Sequence, residues 1–498
     1  MTTEKHAFMS EISFAQCLKV LLAKKKVSAS ELARMMQYKS RNSIFRILDG
    51  EGAHGARLAF FERLKEENPL GLEEADFERL GEALEISRVG AQAYRSNRAM
   101  RELMTGGNAK HAQVRVVAPD GGDARQVLRG MLGAKQMEIM ITGCCERDIL
   151  AAMRGQIAAA GVSQGLRVTH FIYAGREELV GAVSAIQPML YAGFYTAYCV
   201  EPGVFSKERE QIYRMNCVCV RWQDAGDARH VQPFVLADRN LFIALPVENW
   251  RVYKGLDALF EGDMKKMTAL KSVFPYGKDR KDEPDYVAYT DMCRRLEQGR
   301  AIYTVKLDVP FPLIDPAILV RCAMDSLTAG GVDREEALHD LEALRDVHAR
   351  RFENVFGKHK PTHIILSRAF MERFARTGRQ TDHFFALRPY TPDERAAILT
   401  HIRDQARDNP NFHVYFFKES FRPPLMEITL YEGAGTMLAK PFTDYNLAGE
   451  HAEAVIGNTA FCERYKAFFV EDLLARQVTG KEETIAELER LIEIAEKA

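Results

Sequence analysis

Six residues within eight positions, Lys39, Ser40, Arg41, Asn42, Ser43 and Arg46, carry side chains suited to one kind of chemistry. Arg can give two parallel hydrogen bonds to guanine, Asn can pair with adenine, and Lys or Ser at the start of a helix can hold a phosphate. Together they suit the reading of double-stranded DNA, provided one rigid element presents them on one side.

The neighbouring residues supply that element. Ile44, Ile47 and Leu48 recur at helical spacing, Ser40 or Asn42 can cap the helix start, and Gly50 stops it. Subtracting this buried stripe leaves Arg41, Asn42, Ser43, Phe45 and Arg46 facing outward. Upstream, Ser28 and Glu31 form a capping box that starts a second helix near Ala29, and Phe14, Leu18, Leu21 and Leu22 mark an earlier one. Its end at Lys24, Lys25 and Lys26 puts cations at the negative helix terminus. Two short helices joined by a brief turn cannot hide their own apolar faces. Helices around Leu58, Phe61 and Leu64 and around Phe77, Leu80 and Leu84 are therefore expected to complete a five-helix domain over residues 1–88.

The charge is distributed unevenly. Residues 15–46 hold eight Lys or Arg against one acid, Glu31, whereas residues 49–85 hold four bases against eleven acids. The positive field falls on the two short helices, as phosphate contact requires. At these residues the chain resembles the Cro/repressor-type (XRE) helix-turn-helix family, over about residues 11–88. Glu31-Leu32-Ala33 opens the second helix of the motif, while Ile44, Arg46-Ile47 and Asp49-Gly50 close the third. Two departures stand out: an apparent extra residue between Met36 and Ile44, and Gln37 where a turn glycine is common. Because one helix in one groove reads too few base pairs for useful specificity, a dimeric regulator reading two half-sites is expected.

At 498 residues the chain is long enough for about three domains, and 47% hydrophobic with 28% charged residues is ordinary globular usage. A net charge of -1 excludes nucleic-acid or membrane affinity by bulk charge, so only local charge can act. Nine cysteines spread over the length, with no signal-like start, point to a reducing cytoplasm. No apolar run is long enough for a membrane span.

Behind the helical domain, residues 89–112 read as a linker around Thr105-Gly106-Gly107-Asn108. Alternating strand and helix patterns predict an α/β (α+β) sensor region in two units, 113–275 and 301–480, with a connector over 276–300 and a C-terminal helix over 481–498. In the first unit strands are expected at 114–118, 137–142, 166–173, 215–222, 230–236 and 241–245, and helices at 123–132, 146–159, 177–191 and 256–274. In the second, strands are expected at 301–309, 363–366, 412–417, 426–431 and 437–440, and helices at 334–356 and 393–407. The similar order suggests a diverged duplication.

This order resembles the phospholipase-D-like fold, including catalytically dead versions that serve as ligand sensors in regulators. Active members carry His-x-Lys-x4-Asp, with His as nucleophile. Here His230-Val231-Gln232-Pro233 precedes Asp238, so Lys is missing and the Asp lies one position too far; the stretch 425–431 in the second unit has no His. The resemblance therefore implies two inert halves and no enzyme. A phosphodiesterase-like enzyme or defence effector docked through its helix-turn-helix is the competing expectation.

Other candidate chemistry is sparse. Cys144-Cys145 and Cys217-x-Cys219 could converge on a metal or a redox pair, but their spacing is wrong for a zinc knuckle, and buried free Cys is common in cores. No metal or cofactor is expected. A small-molecule effector is expected to bind between strand ends near Cys144, Tyr173 and Arg221. The stripe Ile485, Leu488, Leu491 and Ile492 could pair with a second subunit or pack on its own domain.

Overall fold

Local capping explains the helices at the amino end. In the computed structural model Ser13 and Gln16 form one capping box and Ser28 and Glu31 another, each satisfying two backbone N–H groups that a helix start leaves free. The structure describes residues 13–38, 40–51, 53–105, 115–117, 136–143, 150–151, 166–175, 178–190, 192, 194–223, 226–238, 241–244, 262–275, 286–307, 309–357, 360–380, 387–421, 424, 426–441 and 452–498. The chain divides into two compact units, Met1–Ala99 and Met100–Ala498.

The first unit contains α1 (Phe14–Lys25), α2 (Ala29–Met35), α3 (Arg41–Leu48), α4 (His54–Glu67) and α5 (Glu74–Val89). These are the five expected helices. They share one core, in which Phe14, Leu18, Leu32, Ile44, Phe60 and Leu80 are fully buried. Within the stretch read as a linker, the described residues form α6 (Ala91–Thr105). Met100, Leu103 and Met104 give it an apolar stripe that is buried, and the breaker cluster at 106–108 lies outside the described residues.

The second unit is mixed α/β. Its strands are β1 (Arg115–Val117), β2 (Gln136–Thr142), β3 (Leu166–Tyr173), β4 (Tyr195–Val200), β5 (Cys217–Gln223), β6 (Arg229–Asp238), β7 (Leu241–Ala244) and β8 (Thr268–Pro275). The series continues with β9 (Ile302–Lys306), β10 (Thr362–Leu366), β11 (Phe412–Phe416), β12 (Met426–Tyr431), β13 (Thr436–Pro441) and β14 (Ala452–Ile456). They lie in the order β1-β7-β6-β5-β2-β3-β4-β8-β14-β13-β12-β9-β10-β11.

Adding seven to each strand number of the first half gives the second half in the same order. In each half three parallel strands, β2-β3-β4 or β9-β10-β11, join an antiparallel meander, β5-β6-β7 or β12-β13-β14, through the first parallel strand. The outer strands differ: β1 pairs with β7 in parallel, whereas β8 is antiparallel to β14. β8 also pairs with β4 and thereby joins the halves. The helix expected over 256–274 is overturned here, because residues 268–275 are this strand. Thr268, Val273 and Phe274 suit a strand hydrogen-bonded on both edges.

The remaining helices are α7 (Leu179–Ala185), α8 (Lys207–Arg214), α9 (Tyr286–Glu297), α10 (Pro316–Ala329), α11 (Arg334–Phe356), α12 (Arg368–Thr377), α13 (Pro392–Asp408), α14 (Thr459–Phe468) and α15 (Lys481–Lys497), with a π-helix at Phe469–Gln477. α9 lies in the expected connector, where Cys293 and Glu297 are buried and so tie it to the second half. The expected helix at 177–191 is only α7 and a short turn, and β4 follows it unannounced. α15 packs its Leu488, Leu491 and Ile492 into the core of the second half, so that stripe faces its own unit. The helix expected at 123–132 and nearly all of that at 146–159 lie outside the described residues. Among the described residues, no helix is long and apolar enough to cross a membrane.

Candidate nucleic-acid interface

Ser40 caps α3, its hydroxyl accepting a hydrogen bond from the Asn42 backbone N–H at 3.2 Å. Ile44, Ile47 and Leu48 point into the core, while Arg41, Asn42, Ser43 and Arg46 are exposed. Phe45 is exposed as well, at 44%, an uncommon position for a large apolar ring and one suited to van der Waals contact with a base or sugar. Lys39 lies outside the described residues. Arg46 is not idle: its Nε sits 3.7 Å from Glu51 Oε2, an ion pair exposed on both sides and therefore readily exchanged for a phosphate. Lys19 reaches Asp49 at 3.4 Å in the same way.

The turn before α3 places Gln37 in a backbone conformation that few side chains adopt. This residue has φ of 52°, in the left-handed region where glycine is usual. The backbone N–H groups of Gln37 and Tyr38 donate to Arg34 and Ala33 carbonyls at 3.1 and 2.9 Å, closing α2 and satisfying two carbonyls of its last turn. A glutamine thus holds a position that glycine would take more easily, at some cost in backbone strain.

Of the residues expected around an effector site, Tyr173 and Arg221 stand apart. Arg221 on β5 lies opposite Glu138 and forms an ion pair with it at 3.5 Å, whereas Thr142, at the other end of β2, lies opposite Phe171. Tyr173 is two positions further on, so it stands about 20 Å from Arg221 along the strands, at ~3.3 Å per residue. The Tyr173 hydroxyl donates to Glu210 at 3.0 Å and accepts from Arg214 at 2.6 Å, whose guanidinium also covers the ring. Cys144 and Cys145 lie outside the described residues. Cys217 and Cys219 are in β5, and burial pushes the Cys217 thiol up, which suits a core side chain more than a ligand. Among the described residues no cluster of His, Cys, Asp or Glu is placed to hold a metal ion.

The second half holds a constellation that sequence reading missed. Between its sheet and helices α9, α10 and α11 lies a cavity of about 90 Å³. At one end Lys306 donates to Glu427 at 2.9 Å, and Glu427 also accepts from the Leu307 N–H at 3.2 Å. Burial raises the Glu427 pKa, but Lys306 and Lys440 outweigh it and hold the carboxyl below its usual range. On the helix side Arg351 grips Glu297 with two nitrogens at 2.6 and 2.9 Å, both side chains buried. Thr304 and Thr429 share a hydrogen bond at 2.8 Å on the floor. These residues are scattered from 297 to 440 in sequence; the only local sign was charge at the end of apolar strands, in Lys306 and Glu427.

No protein-family model, no curated protein and no solved structure matches this chain.

Proposed function

We propose that the protein is a sequence-specific DNA-binding transcriptional regulator of the Cro/repressor (XRE) helix-turn-helix type, with the second unit as its ligand-sensing and dimerisation region. The observation that carries this reading is the division of α3 into two faces. Ile44, Ile47 and Leu48 anchor it, and Arg41, Asn42, Ser43, Phe45 and Arg46 are exposed on a helix capped by Ser40. A helix exposing this set can enter a major groove while its capped end approaches phosphate.

The twice-repeated strand order supports the second part, two diverged halves of phospholipase-D-like type. By that order β13 is the counterpart of β6; the segment compared with β6 at the outset, 425–431, covers β12, the counterpart of β5. β13 also has no His, so neither half has the nucleophile-bearing pattern. Dimerisation follows from the small number of base pairs that one short helix can read.

The test is binding of genomic fragments by full-length protein, wild type against Arg41→Ala/Arg46→Ala. Sequence-selective, salt-sensitive binding lost in the variant supports a regulator. Hydrolysis of a generic phosphodiester without selective DNA binding would favour an enzyme instead.

A further inference from the structure

We propose that Phe45 reads a thymine in the operator, its ring packing against the 5-methyl group in the major groove beside the bases met by Arg41 and Asn42. This deepens the regulator reading above and rests on it.

The fold gives this ring no structural task. The other described phenylalanines of the first unit, Phe14, Phe60, Phe61 and Phe77, meet one another edge to face at 6.4 to 6.5 Å between ring centres. Phe45 stands outside that group and outside the core, exposed on α3. The helix is held in place by Ile44, Ile47 and Leu48, so it is anchored without Phe45. A single exposed apolar side chain is ordinary on most surfaces. The place of this one, among side chains suited to base edges, is what gives it a role.

Place and charge set the partner. Residues three and four apart on a helix are neighbours, with ~5–6 Å between their Cβ atoms, so Phe45 shares a face with Arg41 and Asn42. A second copy of the chain suits that face poorly. Arg41 and Arg46 would there meet their own like charges, in a region, residues 15–46, that holds eight bases against one acid. DNA instead brings phosphate to those cations and carries one apolar group on the base edges of its major groove, the thymine methyl. A phenyl ring makes no conventional hydrogen bond to a base edge, so that methyl is the feature it distinguishes. With ~3.4 Å between successive base pairs, the Cβ spacing places the thymine about one or two pairs from the base met by Asn42.

The experiment uses full-length protein and the duplex it selects most strongly from genomic fragments, remade with deoxyuridine in place of thymine at one position at a time. This exchange removes only the methyl group. Wild type is expected to bind about fourfold more weakly when the contacted methyl is lost, the effect of burying about one apolar carbon. With Phe45→Ala the thymine and deoxyuridine duplexes should bind equally, with wild-type circular dichroism. Phe45→Ser substitutes if the Ala variant misfolds, and Phe45→Leu, still apolar, should retain part of the discrimination. Selective binding with no sensitive thymine, or the same deoxyuridine loss in wild type and Phe45→Ala, would overturn the assignment and leave the regulator reading standing. An altered oligomeric state of Phe45→Ala in sedimentation without DNA would also overturn it, since the ring would then lie against a second copy. Absence of any selective binding by wild type would overturn the regulator reading and this inference together.

Discussion

Arg101 on α6 holds Asp472 on the π-helix with a two-pronged contact, Nε donating to Oδ2 at 2.8 Å and Nη2 to Oδ1. Asp472 has no solvent exposure, and Arg476 stands further off, at 4.0 Å. π-helices are rare and are kept where their extra residue places a group; this one aims a carboxylate at the last turns of α6. Removing Arg101 would leave the buried Asp472 carboxylate with only the longer contact to Arg476 among the described residues. Arg101→Ala is therefore expected to destabilise the second unit by about 2 kcal/mol, below the usual 3–5 for a fully buried pair because Arg101 is 40% exposed. Urea denaturation followed by circular dichroism measures it, and an unchanged midpoint would show that the contact contributes nothing.

The Glu297–Arg351 pair is buried on both sides, so single and double changes should differ. Arg351→Met leaves an unpaired buried carboxylate and should cost about 3–5 kcal/mol, whereas Glu297→Leu/Arg351→Met should recover most of that loss. Equal stability of the single and double variants in urea denaturation would contradict the pairing.

Acid should weaken the second unit in two steps. His170 is fully buried with Nδ1 2.7 Å from the Tyr195 hydroxyl, and burial lowers its pKa to about 3. The unfolded chain then binds a proton that the folded one refuses, so stability is full above about pH 6.5 and declines as pH falls toward 3. Glu394, hydrogen-bonded to Arg388 at 2.8 and 3.0 Å, has its carboxyl held at about 2. Its contribution is present above about pH 4.5 and is lost as pH falls toward 2. Melting temperatures of His170→Gln should fall less between pH 7 and 5 than those of wild type, and Glu394→Gln should flatten the curve below pH 4.5. Curves parallel to wild type would refute both assignments.

Gln37 tests the turn. With φ of 52°, replacement by Gly should relieve left-handed strain and stabilise the first unit by up to ~1 kcal/mol, while Gln37→Val should destabilise it. Thermal melts of the full chain, followed at the transition of the first unit, distinguish these outcomes.

What the sequence revealed follows from how local each signal is. The start of α2 was legible because Ser28 and Glu31 satisfy neighbouring N–H groups, and α3 because its stripe has helical period. β4 was hidden: Tyr195–Val200 follows an apolar stretch that reads as one long helix, and only pairing with β3 and β8 makes it a strand. β8 owes its conformation to partners on both edges, of which β14 lies far along the chain. The outward set on α3 could be read by subtracting its core stripe, but the charged cavity could not, since Arg351 on α11, Glu427 on β12 and Lys440 on β13 are far apart in sequence and meet only in the folded unit.

The most direct measurement is the affinity of full-length protein for fragments of its own genome across a range of salt. The account expects selective binding that weakens steeply with salt, and a loss of about 10- to 100-fold for each of Arg41→Ala and Arg46→Ala if each makes a two-pronged base contact, with circular dichroism unchanged. Indifference to every fragment at low salt, or undiminished binding by the double variant, would contradict it.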